Sequence, residues 1–73
     1  DMADDSLQTT FVVDQLDCPA EEAVLRRQVE GLTGVSDLAF NYMTREMRVT
    51  ATAPIDESVL TAIKSAGMTG RVK

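Results

Sequence analysis

Several kinds of side chain that carry chemistry are missing or rare in this sequence of 73 residues, which has no histidine, no tryptophan and one cysteine. A single thiol excludes an intramolecular disulfide framework, so the fold must depend on side-chain packing. The absence of histidine removes the side chain that most often serves as acid, base or metal ligand near neutral pH. No nucleophile–base pair is apparent, and so short a chain cannot form a deep pocket, so we predict no enzymatic activity.

Positive charge and aromatic rings are also scarce. Seven basic residues against twelve acidic ones give a formal net charge of −5, and the aromatic residues are one Tyr and two Phe. Because nucleic-acid binding needs a basic surface and rings that stack on bases, we expect no nucleic-acid partner. No apolar run approaches the roughly 20 residues that cross a bilayer, so we expect no direct membrane insertion.

The length fits one small domain, near the lower limit for a core that folds without help. Residues 1–8 are mostly acidic or polar and predict a disordered tail, and residues 9–73 predict the folded domain. We expect a monomer, and the free thiol favours a reducing compartment such as the cytoplasm. The chain opens with Asp1 rather than Met, which is compatible with a segment of a longer protein.

Four segments have the composition of β-strands. Residues 9–16, 35–42 and 46–52 are rich in β-branched, aromatic or alternating apolar side chains, and residues 68–73 predict a weaker final strand. Residues 41–45 are short enough to form a hairpin loop, so the second and third strands should pair antiparallel. The side chains expected to face the core are Phe11, Val13, Leu38, Phe40, Met47, Val49 and Ala51.

Two segments between these strands have helical periodicity. Pro19 is favoured as a first helical residue and restricts Cys18 to extended backbone, so we predict a helix over residues 19–30. Cys18 would be its N-cap, with Glu21 where the glutamate of a capping box belongs. The second helix should begin after Asp56 as N-cap, with a hydrophobic staple at its start, and end at Gly67. The residues that support these predictions are the staple pair Ile55 and Leu60, the apolar positions Val24, Leu25, Val29, Leu32, Val59, Ile63 and Ala66, and the first helix's terminators, Gly31 or Gly34.

The element order is therefore β-α-β-β-α-β. This order is that of the ferredoxin-like α+β fold, in which a four-stranded antiparallel sheet carries both helices on one face.

The densest group of potential metal ligands lies at the start of the first helix. Cys18 and Glu21, one helical turn apart, can converge, and Asp17 can close the site from the other side. Glu22 is placed as an outer or exchangeable ligand. One sulfur with several oxygens suits one Zn²⁺, Cd²⁺ or Pb²⁺ ion better than Cu⁺, which favours pairs of thiolates.

The same residues have a simpler explanation. A lone cysteine is often a small buried apolar side chain, and acidic residues in a first helical turn complement the helix dipole. Against this, a thiol crowded by three carboxylates costs stability unless a cation relieves the repulsion. From the residues alone, metal binding and a site that binds nothing both stay open.

A wider pattern of residues adds to the case for metal. The chain resembles the heavy-metal-associated (HMA) domain of metallochaperones and heavy-metal-transporting P-type ATPases, whose motif is Gly-Met-x-Cys-x-x-Cys. In this resemblance Cys18 matches the first metal cysteine, and Glu21 replaces the second. The matching positions are Gln15-Leu16-Asp17-Cys18-Pro19-Ala20-Glu21, Gly34-Val35, Asn41 and Ala66-Gly67-Met68, with Gln15, Leu16 and Met68 as further departures.

An aspartate before the cysteine resembles the N-terminal domains of ATPases that export Zn²⁺, Cd²⁺ and Pb²⁺. The resemblance implies a cytosolic regulatory or metal-loading domain, whose partners are the ion and the other domains of an ATP-driven transporter in the inner or plasma membrane. It also implies that Leu16 and Met68 lie beside the site without binding the ion. The alternatives are a free-standing metallochaperone of the same fold and an interaction module that binds no metal.

Overall fold

Six elements follow one another in the predicted order of strand, helix, strand, strand, helix, strand. They are seen in a computed structural model that describes residues 7–73. The elements are β1 (Leu7–Val13), α1 (Pro19–Glu30), β2 (Val35–Asn41), β3 (Glu46–Ala51), α2 (Asp56–Ser65) and β4 (Gly70–Val72).

The strands form one antiparallel sheet in the order β2-β3-β1-β4. The central pair, β1 and β3, runs from Leu7 opposite Ala51 to Val12 opposite Glu46. The sheet and the two helices enclose one hydrophobic core. This arrangement confirms the ferredoxin-like α+β fold, which places the loop after β1 and the start of α1 at one edge of the domain.

The core contains the apolar side chains that alternate along the strands and recur along the helices. Phe11, Val13 and Met47 are fully buried, as the period-2 pattern predicts. Phe40 is only partly buried and packs against the rim of the core. The other buried residues are Leu16, Leu25, Val29, Leu38, Val49, Ala51, Val59, Ala62 and Ile63, whereas Val24, Leu32, Leu60 and Ala66 of the predicted helical stripes are partly buried.

The ends of the first strand differ from the prediction. β1 begins at Leu7, because Leu7 and Gln8 pair with Ala51 and Thr50 of β3. The tail predicted over residues 1–8 therefore loses its last two residues to the sheet, and residues 1–6 lie outside the described part of the chain. β1 also stops at Val13, because the amide of Leu16 donates to the Val13 carbonyl at 3.0 Å and turns the chain.

The caps of the two helices also differ in part. Cys18 occupies the N-cap position of α1 in extended conformation, but its side chain makes no capping hydrogen bond, so the predicted capping box is wrong. Asp56 is the first helical residue of α2, and the N-cap position belongs to Ile55. The Asp56 carboxylate instead accepts a hydrogen bond from the Thr9 hydroxyl at 3.3 Å.

The helix termini lie where the glycines predicted them. α1 ends at Glu30, with Gly31 as its C-cap. Beyond α2, Gly67 has a φ of 81°, and its amide donates to the Lys64 carbonyl while that of Met68 donates to the Ile63 carbonyl. These two bonds form a Schellman motif, which requires the left-handed conformation that glycine adopts without strain. Neither helix within residues 7–73 has the length and apolar character needed to cross a bilayer.

Candidate metal centre

The loop that carries the candidate ligands is held against the last strand. The amide of Asp14 donates to the Thr69 carbonyl at 3.0 Å, and the amide of Thr69 donates to Gln15 Oε1 at 2.8 Å. Leu16 is fully buried and anchors the loop from the core side. These contacts fix the backbone immediately before Asp17 and Cys18.

Three of the four predicted ligands converge at this point. Asp17, Cys18 and Glu21 each offer one donor atom, and the three atoms lie within 4.8 Å of one another. Asp17 is exposed, whereas Cys18 and Glu21 are half-buried. The Cys18 thiol donates a hydrogen bond to the Glu21 carboxylate, so the side chains one helical turn apart already point at each other.

The donor atoms have the types and spacing that a divalent ion requires. Donor atoms around one Zn²⁺ lie about 3–4 Å apart, because each metal–ligand bond is about 2.0–2.3 Å long. Donor atoms that lie within 4.8 Å of one another are therefore near the spacing that one ion requires. Loss of the thiol proton on metal binding would replace the present Cys18–Glu21 hydrogen bond with two bonds to the ion. Three protein donors also leave a coordination position for water or an incoming ligand.

Glu22, the fourth predicted ligand, lies outside this group, because both of its carboxylate oxygens are engaged elsewhere. Arg26 Nη2 donates to Glu22 Oε2 at 2.8 Å, and the Tyr42 hydroxyl donates to Glu22 Oε1. The Arg26 bond and then the Tyr42 bond lower the pKa of Glu22. Donating that bond to the Glu22 carboxylate raises the pKa of Tyr42 to about 12.

Arg26 and Tyr42 are the residues near the site that the sequence analysis did not identify. The spacing of Glu22, Arg26 and Glu30, four residues apart along α1, was a usable signal for the Arg26 contacts. Tyr42 lies 20 residues from Glu22, so no local pattern indicates their contact.

Leu16 and Met68 were expected beside the site without binding the ion. Both are less exposed than Asp17, the most exposed of the three candidate ligands. Leu16 is fully buried, and Met68 is partly buried and packs against the core. Met68 precedes Thr69, whose amide donates to Gln15 in the loop that carries the candidate ligands.

Comparisons with known proteins agree with this architecture. Residues 10–69 match the family described as heavy-metal-associated domain. The N-terminal domain of ZntA in its apo form superposes with a TM-score of 0.88 at 25% identity, over 93% of each chain. Its Zn(II) form superposes with a TM-score of 0.83 at 26% identity, over 90% of each chain.

A more distant structure shares the fold alone. The yeast copper transporter domain Ccc2a, solved in apo and Cu(I)-loaded states, superposes with a TM-score of 0.84 at 21% identity, over 90% of this chain and 93% of that one. A sequence comparison with curated proteins gives no significant match.

Proposed function

The chain belongs to the heavy-metal-associated domain family, and on that premise we propose that it binds one divalent heavy-metal ion through Asp17, Cys18 and Glu21. The ion would be Zn²⁺, Cd²⁺ or Pb²⁺, carried as cargo. The observation that carries this proposal is the convergence of one sulfur and two carboxylate donors within 4.8 Å of one another.

The preference for a divalent ion follows from the donor types. Cu⁺ is bound most tightly by pairs of soft sulfur ligands, and this chain has one cysteine. A thiolate with two carboxylates brings three negative charges, which suits a divalent cation and keeps the loaded site anionic. The structural similarity to a domain solved in a Zn(II) form supports this choice.

The site's exposure supports a role in metal transfer. Asp17 is exposed and the other two donors are half-buried, so the ion would bind at the surface and not in a closed structural cage. A domain that loads or senses the ion for an exporting P-type ATPase must also give the ion up again, which an open site allows. We therefore propose that the chain is the cytosolic metal-loading or regulatory domain of such a transporter.

An NMR titration with Zn²⁺, Cd²⁺ and Pb²⁺ tests the site. The amides of residues 16–22 should shift and saturate at a single ion per chain, and Asp17→Asn and Glu21→Gln should each weaken binding by roughly tenfold or more, as the loss of a ligand does. Asp37→Asn, which removes an exposed carboxylate of β2, is the matched control. Shifts spread over the acidic surface, or equal weakening by the control, would refute the site.

The transporter role needs a test in the full-length protein. Cys18→Ser should lower the rate of Cd²⁺-dependent ATP hydrolysis at limiting Cd²⁺, where loading matters most, and have less effect at saturating Cd²⁺. A rate that is unchanged at every Cd²⁺ concentration would contradict a metal-loading or regulatory role.

A further inference from the structure

Both carboxylate oxygens of the half-buried Glu22 accept hydrogen bonds. Its Oε2 accepts from Arg26 at 2.8 Å, and its Oε1 accepts from the Tyr42 hydroxyl. We call these three residues the Glu22 lock. Both hydrogen bonds end on a charged acceptor, and such bonds are shorter and stronger than bonds between neutral groups.

Arg26 is itself held in place by further contacts. Its Nη1 donates to Glu30 Oε2 at 3.4 Å, and its guanidinium carbon lies 5.1 Å from the centre of the Phe40 ring. An arginine fixed by a ring face and a second carboxylate loses little further freedom when it binds Glu22. The guanidinium is therefore already oriented toward Glu22.

Tyr42, the residue that follows β2, donates to the other carboxylate oxygen of Glu22. The neighbouring Asn41 side chain accepts hydrogen bonds from the amides of Met43 at 3.0 Å and Thr44 at 3.3 Å, which fixes the turn that contains Tyr42. The lock thus ties the first turn of α1 to the β2–β3 hairpin.

We propose that Arg26 and Tyr42 are positioning residues that hold Glu22 away from the metal, so that the ion keeps three protein ligands and one exchangeable position. This role rests on the proposed function. To reach the ion, Glu22 would have to give up two charge-assisted hydrogen bonds and leave the Arg26 charge without its partner. Within residues 7–73, the Glu21 carboxylate accepts a hydrogen bond only from the Cys18 thiol and has no such competing contact.

The lock has a consequence for metal release. A fourth carboxylate would complete the coordination sphere and add negative charge, and both changes slow the departure of a cation. By holding Glu22 back, the lock keeps the site open to a ligand from the next carrier or from the transporter. The number of protein ligands on the ion would then depend on residues that do not contact the ion.

Cd²⁺ affinity and transfer to a chelator, measured on the full chain, test the role. In the parent, Glu22→Gln should change the Kd for Cd²⁺ by less than about threefold, whereas Glu21→Gln should raise it by roughly tenfold or more. The lock is opened by the pair Tyr42→Phe and Arg26→Gln, which keep the ring and a polar side chain. In that background Cd²⁺ affinity should rise by roughly tenfold and transfer should slow to match, and adding Glu22→Gln should abolish both gains.

Arg27→Gln is the matched control for lost charge, because Arg27 is the adjacent exposed arginine of α1. Arg27→Gln should not make Cd²⁺ affinity or transfer depend on Glu22. Circular dichroism should show the same fold in every variant. A parent in which Glu22→Gln weakens binding as much as Glu21→Gln would overturn the role of the lock, and so would an open-lock variant indifferent to Glu22. A parent that binds no Cd²⁺ would overturn the proposed function as well.

Discussion

Two neighbouring glutamates at the start of α1 have opposite surroundings. Glu21 accepts a hydrogen bond from the Cys18 thiol and belongs to the group of three donors. Glu22 faces Arg26 and Tyr42 instead. Successive residues of a helix point about 100° apart, so one carboxylate faces the ligand loop while the next faces the hairpin. Similar side chains thereby acquire different contacts.

The Tyr42–Glu22 contact predicts a pH dependence. The bond to Glu22 raises the pKa of Tyr42 from 10.0 to about 12, so neutral Tyr42 favours the folded state. This contribution is complete below pH 10 and is lost as pH rises through about 12. Absorbance of the single tyrosine, without tryptophan background, should show the raised pKa, and Glu22→Gln should move it back toward 10.0.

Glu57→Gln, an exposed position of α2, is the control for that titration and should leave the Tyr42 pKa in place. Circular dichroism over the same pH range separates ionisation from unfolding. A parent tyrosine that titrates at its ordinary value while the fold persists would show that the contact does not form in solution.

The choice of Glu21 in place of a second thiol predicts metal selectivity. Glu21→Cys creates two thiolates one helical turn apart, which can bind Cu⁺ in near-linear geometry. We expect Cu⁺ affinity to rise by orders of magnitude, measured by competition against a Cu⁺ chelator. Glu22→Cys is the control, since that position faces Arg26 and Tyr42. An equal gain in both variants, or none in Glu21→Cys, would mean that residue 21 does not lie at the metal.

At the scale of elements, the two helices end in glycines of opposite backbone conformation. Gly31 has a φ of −76°, which any residue adopts, whereas Gly67 has a φ of 81° and completes the Schellman motif. A Cβ at Gly67 would meet no atom within 4 Å, so only backbone strain opposes a side chain there. Alanine substitutions at Gly31 and Gly67 therefore measure the effect of backbone strain on stability without a change in packing.

Gly67→Ala should therefore lower the free energy of unfolding by about 1 kcal/mol, because alanine is strained in the left-handed region. Gly31→Ala should leave stability unchanged or raise it by up to about 1 kcal/mol through lower entropy of the unfolded chain. Urea unfolding with an unchanged m-value measures both. Equal effects of the two substitutions would contradict the assigned termini.

Much of this architecture was predictable from local patterns. Pro19 and Gly31 bound α1, and alternation along the strands identified Phe11, Val13 and Met47 as core. These signals lie within a few residues of the feature that they predict. The grouping of Asp17, Cys18 and Glu21 was also predictable, because these residues are adjacent or one helical turn apart, and their role as metal ligands stays a prediction.

The features that were missed depend on contacts between distant segments. Asp56 does not cap α2, because the helix begins one residue earlier with Ile55 as N-cap, and the Asp56 carboxylate accepts from the Thr9 hydroxyl, 47 residues away. Leu16 belongs to a buried turn and not to β1, a distinction that its apolar character cannot make. The Tyr42 bond to Glu22 arises only when the hairpin packs beside α1. In each case the contacts of the residue depend on the tertiary structure and cannot be inferred from its neighbours in sequence.

At the scale of the whole molecule, the core and the candidate site are separate. Fully buried apolar side chains from β1, β3 and both helices form one cluster, whereas the three candidate ligands lie outside it and are exposed or half-buried. Among residues 7–73, no side-chain nitrogen or oxygen is buried without a hydrogen-bond partner. Folding therefore does not require the ion to satisfy an interior group.

We accordingly expect the metal-free chain to be folded. In the presence of a chelator, circular dichroism should show mixed helix and strand and a cooperative thermal transition. Cd²⁺ at about 100 times its Kd should add about 2.7 kcal/mol of stability, as binding to the native state alone predicts. A chain that folds only when metal is added, as zinc fingers do, would contradict the separation of core and site.

The central claim is that one divalent ion binds with Cys18 as its sulfur ligand, and Cd²⁺ absorption tests it most directly. Because the chain has one thiol, an ultraviolet thiolate-to-Cd²⁺ charge-transfer band can come only from Cys18. The band should grow to saturation at one ion per chain, weaken in titrations of Asp17→Asn and Glu21→Gln at limiting Cd²⁺, and vanish in Cys18→Ser. A folded parent chain without this band at saturating Cd²⁺ would contradict the proposed metal centre.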